Sequence, residues 1–383
     1  MVLINEYKPR QLTLKCPNPS QFSELFSFID VNLDFDTCDQ LQLQKQNFVK
    51  LSPQDLDVLT RKLACILIGG QGDALGFRVE FLSFTNIIKK FGSLFTQISK
   101  TVSDDTQMTL FAELAMQQGG QKQNFQQQFL NWHSTQLHLK QAEKGSQLHQ
   151  ISSALNHLRA PGGTCMSALA AGGHGSFTKK INDSKGCGTI MRNGTIALHG
   201  FELDYLVNCA AVQALITHTH DDAMLPCCFQ TVFQTMLFVC QENNWFQRCQ
   251  QALRQTDEYL TKSFLQDKYQ KSNTKKLMGK LMLEKLHNID LNHQNYQKST
   301  LYLQLKKLGQ GWVADEALAI AIFCLMQSED PMQQIIIAAN HDGDSDSTAC
   351  VCGQIYGSVR GFRGFPIEGV DLDVLDEVAW VCK

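Results

Sequence analysis

Two blocks of clustered acids, far apart in the chain, most constrain what this sequence can fold into. They are Ser103–Thr106, which reads Ser-Asp-Asp-Thr, and Asp342–Ser347, which reads Asp-Gly-Asp-Ser-Asp-Ser. Carboxylates this close repel one another, and burying them without a cation is very costly. Oxygen ligands of this kind suit Mg²⁺, Mn²⁺ or Ca²⁺ rather than zinc. A fold that joins the two blocks would therefore build a hydrolytic centre around a pair of divalent ions.

Each block also has a simpler interpretation. Ser103 and the following acids are typical of a helix N-terminus, although capping accounts for only part of a continuous Ser-Asp-Asp-Thr block. The second block resembles an EF-hand loop, but Ser347 replaces the required glycine and Gly353 the required glutamate. Gly353, Gly357 and Gly361 are spaced four apart. This spacing predicts a helix that begins with the acids and lets another backbone approach closely.

Composition excludes several classes of protein. Hydrophobic residues make up 43% of the 383 residues, enough for a sizeable core, and the net charge of -3 offers no global attraction to nucleic acid or acidic membranes. Fourteen cysteines without a C-x-x-C pair or a leader indicate buried thiols in a reducing compartment. The apolar runs are too short to span a bilayer. We expect a cytoplasmic protein without nucleic-acid or membrane partners.

Periodicity predicts an all-α protein in two parts. Residues 1–52 mix aromatic residues, acids and prolines and are interpreted as an N-terminal arm. Ser52 and Pro53 then mark a helix start, so residues 53–383 form the main domain. Apolar residues recur there every three to four positions, and alternating strand patterns are hard to find. Residues 226–240 and 314–326 are predicted as buried helices. Residues 120–150 are predicted as a surface helix with a loop, and residues 268–300 as an exposed helical hairpin.

The remaining motifs each leave two interpretations open. The glycines of Gly69–Gly76 lack the Lys-Ser/Thr of a phosphate loop, so close helix packing is favoured. Glu80 is either an exposed helix-face residue or a catalytic carboxylate. Arg192, in the Gly186–Gly194 loop, would hold a phosphate or pair with a structural carboxylate. The histidines of Thr217–Asp222 are expected to support the metal ligands or to contact the substrate rather than to bind metal themselves. The alternative is that they cap the next helix.

Taken together and in order, these blocks resemble the ADP-ribosylglycohydrolase family, in particular its bacterial dinitrogenase-reductase-activating type. Any single block is weak evidence, whereas the ordered set, over about residues 56–365, is highly specific. The matching blocks are Gly72–Gly76 with Glu80, Ser103–Thr106, Pro161–Leu169, Gly186–Arg192, Thr217–His220, Gly311–Leu318 and Asn340–Thr348.

The resemblance implies a compact multi-helix fold around two Mg²⁺ or Mn²⁺ ions. It places Glu80, Asp105 and Asp344 among the catalytic residues, with Glu80 beside the reacting sugar. Ser347 stands where many relatives have threonine, which keeps the hydroxyl. The implied metal ligands are Ser103, Asp104, Asp105, Asp344, Asp346 and Ser347. The implied residues around ADP-ribose are Gly162, Thr164, Gly186, Cys187, Gly188, Met191, Arg192, His218 and His220.

The implied function is removal of ADP-ribose from modified protein side chains, with the N-glycosidic bond to arginine favoured. Asp221 departs from the family pattern, which usually has proline there, and this bears on substrate preference. One alternative is hydrolysis of serine-linked ADP-ribose or of its polymers. Another is an immunity protein whose arm, residues 1–52, blocks an ADP-ribosyltransferase toxin, although packing of the arm on its own core is slightly favoured. A degenerate structural member is disfavoured because the ligands are retained.

Overall fold

The computed structural model describes residues 53–137, 155–288, 298–367 and 370–382. The arm predicted over residues 1–52 and the cap predicted at Ser52 lie outside these ranges. Within them the chain forms fifteen α-helices and two short 3₁₀ helices, and the only β-type pairings are two isolated bridges. The predicted all-α class is confirmed. None of the helices in these ranges is long and apolar enough to cross a membrane.

The helices follow one another in chain order from Pro53 to Val381. The first seven are α1 (Pro53–Gly76), α2 (Phe84–Phe91), α3 (Asp104–Gln117), α4 (Lys122–Gln136), α5 (Gly163–Ala170), α6 (Leu203–Leu215) and α7 (Asp221–Val239). The others are α8 (Trp245–Lys262), α9 (Gln266–Lys271), α10 (Asn273–Asn288), α11 (Lys298–Leu308), α12 (Ala314–Leu325), α13 (Pro331–Ala339), α14 (Ser345–Arg360) and α15 (Leu375–Val381). The 3₁₀ helices are Cys187–Thr189 and Ile196–Leu198.

Helices α1 and α14 form the most extensive helix pair of the fold. Glycines let their backbones touch: a Cβ on Gly72 would lie 2.3 Å from the Ala349 carbonyl oxygen, and one on Gly353 would lie 2.4 Å from that of Ile68. The close-packing interpretation of both glycine groups is therefore confirmed. Gly361 is the exception, because it ends α14 with a positive φ of 58°, which favours glycine.

Buried helices surround this pair. Helices α7 and α12, predicted as buried, are almost entirely enclosed. Helix α4 is amphipathic and buries Phe125, Phe129 and Trp132. The prediction of an exposed hairpin over 268–300 is wrong for its described part, because Tyr269 and Met278 are buried and α10 packs against α12. Twelve cysteines lie in the described ranges, where none forms a disulfide and all but Cys187 are buried.

Candidate metal centre

The N-termini of α3 and α14 meet beside the C-terminal end of α1. Ser103 caps α3 by accepting from the Asp105 backbone N–H, and Asp344 caps α14 by accepting from that of Ser347. Gly76 allows the meeting, since a Cβ there would lie 2.2 Å from the Ser345 carbonyl oxygen. The positive ends of both helix dipoles thus face the same space and favour carboxylates there.

Asp73, on α1, holds the start of α3 in place. Its fully buried carboxylate accepts from the Ser103 N–H at 2.9 Å, the Thr106 N–H at 3.1 Å and the Thr106 hydroxyl at 2.5 Å. Burial, with a contribution from Asp346, raises the pKa of Asp73 to about 7. This positioning role was missed in the sequence, where Asp73 is only part of a glycine-rich block. The feature of the sequence that could have revealed this role is the acid that follows Gly72 in the Gly-Asp-Ala block of the family pattern.

Carboxylates of both acidic blocks converge at this point. Oxygen atoms of Glu80, Asp344 and Asp346 lie within 4.8 Å of one another. Burial first, and then the charge of Asp346, raise the pKa of Asp104 and Asp105 well above its ordinary value. The structure therefore brings the two blocks together, as the clustered acids predict. It also adds Glu80 to the group, close enough to ligate a metal itself.

The donor set fits a divalent cation. Asp105 is 2% exposed, and its Oδ1 atom is buried without a hydrogen-bond partner, whereas its Oδ2 atom receives the Ser103 hydroxyl at 3.3 Å. An orphaned carboxylate oxygen is costly unless a cation or proton meets it. The converging side chains offer carboxylate and hydroxyl oxygens, which are the donors that Mg²⁺ and Mn²⁺ prefer. The acidic cluster is thus a possible metal-binding site.

A turn after α1 carries Glu80 to the edge of this cluster. The Glu80 N–H donates to the Gly76 carbonyl at 2.9 Å, and the next residue, Phe81, has φ 65°. Glu80 itself is only partly buried. Burial, followed by the charges of Asp346 and Asp104, raises its pKa to about 8. The catalytic interpretation of Glu80 is therefore compatible with its position, because it faces both the cluster and solvent.

The loop that begins at Gly186 forms a second wall. The Cys187 N–H donates to the Trp312 carbonyl at 3.1 Å, and the Cys187 thiol donates to Asp344 Oδ2 at 2.7 Å. A Cβ on Gly186 or Gly188 would lie 3.1 Å or 3.3 Å from the His218 ring, which packs directly behind the loop. Met191, later in the same loop, is buried, and its carbonyl oxygen accepts hydrogen bonds from the side chains of Gln354 and Thr109.

Gly162 and Thr164 lie on an open edge beside α3. No atom would come within 4 Å of a Cβ on Gly162 or Gly163, so this edge borders free space. The Gly162 N–H donates to Asp104 Oδ2 at 3.3 Å, and the Thr164 hydroxyl shares a hydrogen bond of 3.1 Å with Ser184. Space for a ligand therefore adjoins the carboxylates on this side.

Arg192 lies beneath the loop, fully buried, rather than on the open edge. Its guanidinium donates to Gln213 Oε1 and to the Thr217 hydroxyl, each at 2.8 Å, and lies 4.1 Å from the Phe129 ring centroid. These partners are an amide, a hydroxyl and a ring, which differ from both the phosphate and the carboxylate considered for it. In this arrangement Arg192 supports the segment that carries His218.

The two predicted histidines occupy different positions. His218 is buried with Nδ1 2.8 Å from the Thr217 hydroxyl, and burial together with Arg192 lowers its pKa to about 3, so its ring is neutral. His220 caps α7 by accepting from the Asp222 N–H at 2.9 Å, which is the alternative considered for it. Asp221, the departure from the family pattern, forms a surface ion pair of 2.7 Å with Lys268.

Comparison with known proteins finds similar proteins over most of the chain. A family model described as ADP-ribosylglycohydrolase matches residues 54–381. An uncharacterized protein of Archaeoglobus fulgidus is 25% identical over 334 residues, which cover 82% of this chain and 93% of that protein. A solved ADP-ribosylglycohydrolase-related protein complex is similar with a TM-score of 0.54 and 16% identity, over 85% of this chain and 98% of that chain. That structural likeness supports the fold.

Proposed function

Because the chain belongs to the ADP-ribosylglycohydrolase family, we propose that it is a metal-dependent hydrolase that releases ADP-ribose from modified protein side chains. The observation that carries this proposal is the convergence of buried carboxylates at two helix N-termini, with Asp105 Oδ1 left unpartnered. The residues proposed to hold two Mg²⁺ or Mn²⁺ ions are Ser103, Asp104, Asp105, Asp344, Asp346 and Ser347.

When bound, such ions would orient ribose hydroxyls and polarise a water molecule. Glu80 is the carboxylate proposed to move the proton, because it lies beside Asp344 and Asp346 and still reaches solvent. Hydrolysis of a glycosidic bond passes through an oxocarbenium-like state, in which a positioned carboxyl group transfers a proton to or from the reacting groups. Asp73 holds the first turn of α3 in position through its hydrogen bonds from Ser103 and Thr106.

The open edge at Gly162 and Gly163 is the proposed place for the ADP-ribose moiety. Glycine backbones and the N-terminus of α5 suit a pyrophosphate, since N–H groups and the helix dipole attract anions. Gly186, Cys187 and Gly188, which adjoin the centre through the Cys187–Asp344 hydrogen bond, are proposed to line another side of this space. Behind them, the neutral His218 and the buried Arg192 act as positioning residues.

Charge supports arginine as the modified side chain. Burial, and for most of them the charge of their neighbours, raises the pKa of six carboxyl groups around the centre, so a nearby cation favours their ionised forms. A cationic guanidinium gains this attraction, whereas the neutral hydroxyl of serine or ribose does not. The carboxylates are Asp73, Glu80, Asp104, Asp105, Asp344 and Asp346.

The proposal predicts that release of ADP-ribose from arginine-modified protein requires Mg²⁺ or Mn²⁺ and stops in chelator. Asp344→Asn keeps a side chain that can cap α14 but removes a ligand charge. We expect at least about a 100-fold loss of metal affinity and of activity. Glu80→Gln should lose turnover while Mn²⁺ binding, measured by calorimetry, changes less.

Asp330→Asn is the matched control, because Asp330 caps α13 at an exposed position by accepting from Met332. It should keep full activity. Undiminished turnover in Asp344→Asn would overturn the metal-dependent assignment. Release from serine-modified protein, but not from arginine-modified protein, would leave the hydrolase in place and change its acceptor.

A further inference from the structure

An exposed aromatic pair stands at the rim of the carboxylate cluster. The Phe81 ring stacks on the Trp312 ring with centroids 5.0 Å apart and planes inclined by 23°. Phe81 nevertheless remains 74% exposed, so the ring face away from Trp312 is open to solvent. Exposed rings of this size are costly to hold in water, and a stacked pair with one free face is suited to receiving a planar group.

The backbone holds Phe81 there against its own preference. Its φ of 65° lies in the left-handed region, which a bulky non-glycine residue rarely adopts, and such strain clusters at functional sites. The Phe81 N–H lies 3.4 Å from the carbonyl oxygen of Gly343, in the turn that carries the second acidic block. The backbone at Phe81 is therefore tied to the same turn as Asp344.

The pair connects both walls of the site. Phe81 directly follows Glu80, whose carboxylate lies within 4.8 Å of those of Asp344 and Asp346. On the other side, the Trp312 carbonyl accepts from the Cys187 N–H, and the Cys187 thiol bonds to Asp344. Phe81 is therefore next in the chain to the carboxylate proposed to act at the sugar, and its exposed face is available to a group that leaves that sugar.

A guanidinium group fits these surroundings. It is planar, always charged and weakly hydrated, so it stacks on an aromatic face while its N–H groups donate to a carboxylate. We propose that Phe81, backed by Trp312, binds the guanidinium of ADP-ribosylated arginine and so determines the acceptor specificity of the hydrolase. This inference rests on the proposed function and deepens it, because a serine-linked substrate has no group that would use the ring.

Binding of agmatine, which carries a free guanidinium, tests this directly. Calorimetry would measure agmatine binding to the full-length protein with Mg²⁺ and saturating ADP-ribose. Phe81→Leu keeps the apolar bulk without the aromatic face, and we expect roughly 3–30-fold weaker agmatine binding. ADP-ribose binding should stay unchanged, and Phe81→Tyr, which restores the face, should restore agmatine binding. For arginine-modified protein, KM should rise in Phe81→Leu more than kcat falls.

Phe264→Leu is the matched control, since Phe264 is 61% exposed and lies outside the carboxylate cluster. It should bind agmatine as the unaltered protein does. Equal agmatine affinity in Phe81→Leu and the unaltered protein would overturn the inference whatever the activity. A clear difference in affinity, in a protein that releases ADP-ribose from no acceptor, would instead support the guanidinium site and overturn the proposed function.

Discussion

Among single residues, Asp73 connects α1 to the start of α3. Both of its carboxylate oxygens accept hydrogen bonds, from the Ser103 N–H, the Thr106 N–H and the Thr106 hydroxyl. These bonds fix the first turn of α3, from which Asp104 and Asp105 project. Asp73 therefore acts on the centre through backbone position, in addition to any charge that it contributes.

Asp73→Asn tests this role. One carboxylate oxygen becomes an NH₂ group that faces N–H donors, so a buried hydrogen bond is lost and two donors oppose each other. We expect the free energy of unfolding to fall by about 1–3 kcal/mol, and the apparent Mg²⁺ affinity to fall with it. Urea denaturation and thermal shift in a Mg²⁺ titration would measure both. Unchanged values would mean that α3 is held by other contacts.

At the scale of helices, the contact between α1 and α14 sets the position of the second acidic block. Gly76 lies against Ser345 and Asp346, Gly72 against Ala349, and Gly353 against Ile68. Backbone atoms form these contacts, and they cannot rotate away as side chains can. Any added Cβ must therefore separate the two helices and move the N-terminus of α14.

Gly353→Ala is expected to destabilise the protein by about 1–3 kcal/mol, because the new Cβ would overlap the Ile68 carbonyl. Gly279→Ala, in α10, is the control of opposite sign, since no atom lies within 4 Å of the new Cβ. It should raise the free energy of unfolding by about 0.5–1 kcal/mol, through the better helix propensity of alanine. Paired urea denaturation curves would measure both. Equal effects would contradict the close helix contact.

For the whole molecule, the buried acids link stability to pH and to metal. Without a cation, burial raises the pKa of Asp73 to about 7 and that of Glu80 to about 8, well above their ordinary values. A group with a raised folded-state pKa stabilises the protein fully below its unfolded-state pKa, and that stability is lost as pH rises through the folded-state value. The metal-free protein should therefore weaken from acidic toward alkaline pH.

In chelator, the melting temperature should fall from about pH 4 to about pH 8, that is, between the ordinary and the raised pKa values of Asp73 and Glu80. The free energy of unfolding should fall by about 1.4 kcal/mol per pH unit for a fully buried group such as Asp73. Saturating Mg²⁺ should raise the melting temperature and remove this slope, because the cation stabilises the ionised carboxylates. Titratable groups outside the centre change the melting temperature similarly in the measurements with chelator and with Mg²⁺. Parallel pH curves with and without Mg²⁺ would contradict a cation site among these acids.

Much of the site's local chemistry was predictable because it depends on neighbours in the chain. Ser103 and its acids begin a helix, as capping preferences dictate, and Gly353 and Gly357 face another backbone, as their spacing predicts. The positions of Asp73 and Arg192 were not predictable in this way. Their partners come from other parts of the chain, so no spacing in the sequence predicts that Asp73 holds the start of α3 or that Arg192 lies buried against Phe129.

The sequence by itself determined the all-α class, the helical character of both acidic blocks and the residue types of the centre, because periodicity and capping act over a few positions. The tertiary structure alone decided that Glu80 joins Asp344 and Asp346, that Phe81 is held exposed against Trp312, and that Arg192 is enclosed. Those outcomes follow from which backbones can touch, and only the packed helices settle that. The centre forms where the glycines of α1 allow the backbone of α14 to approach closely.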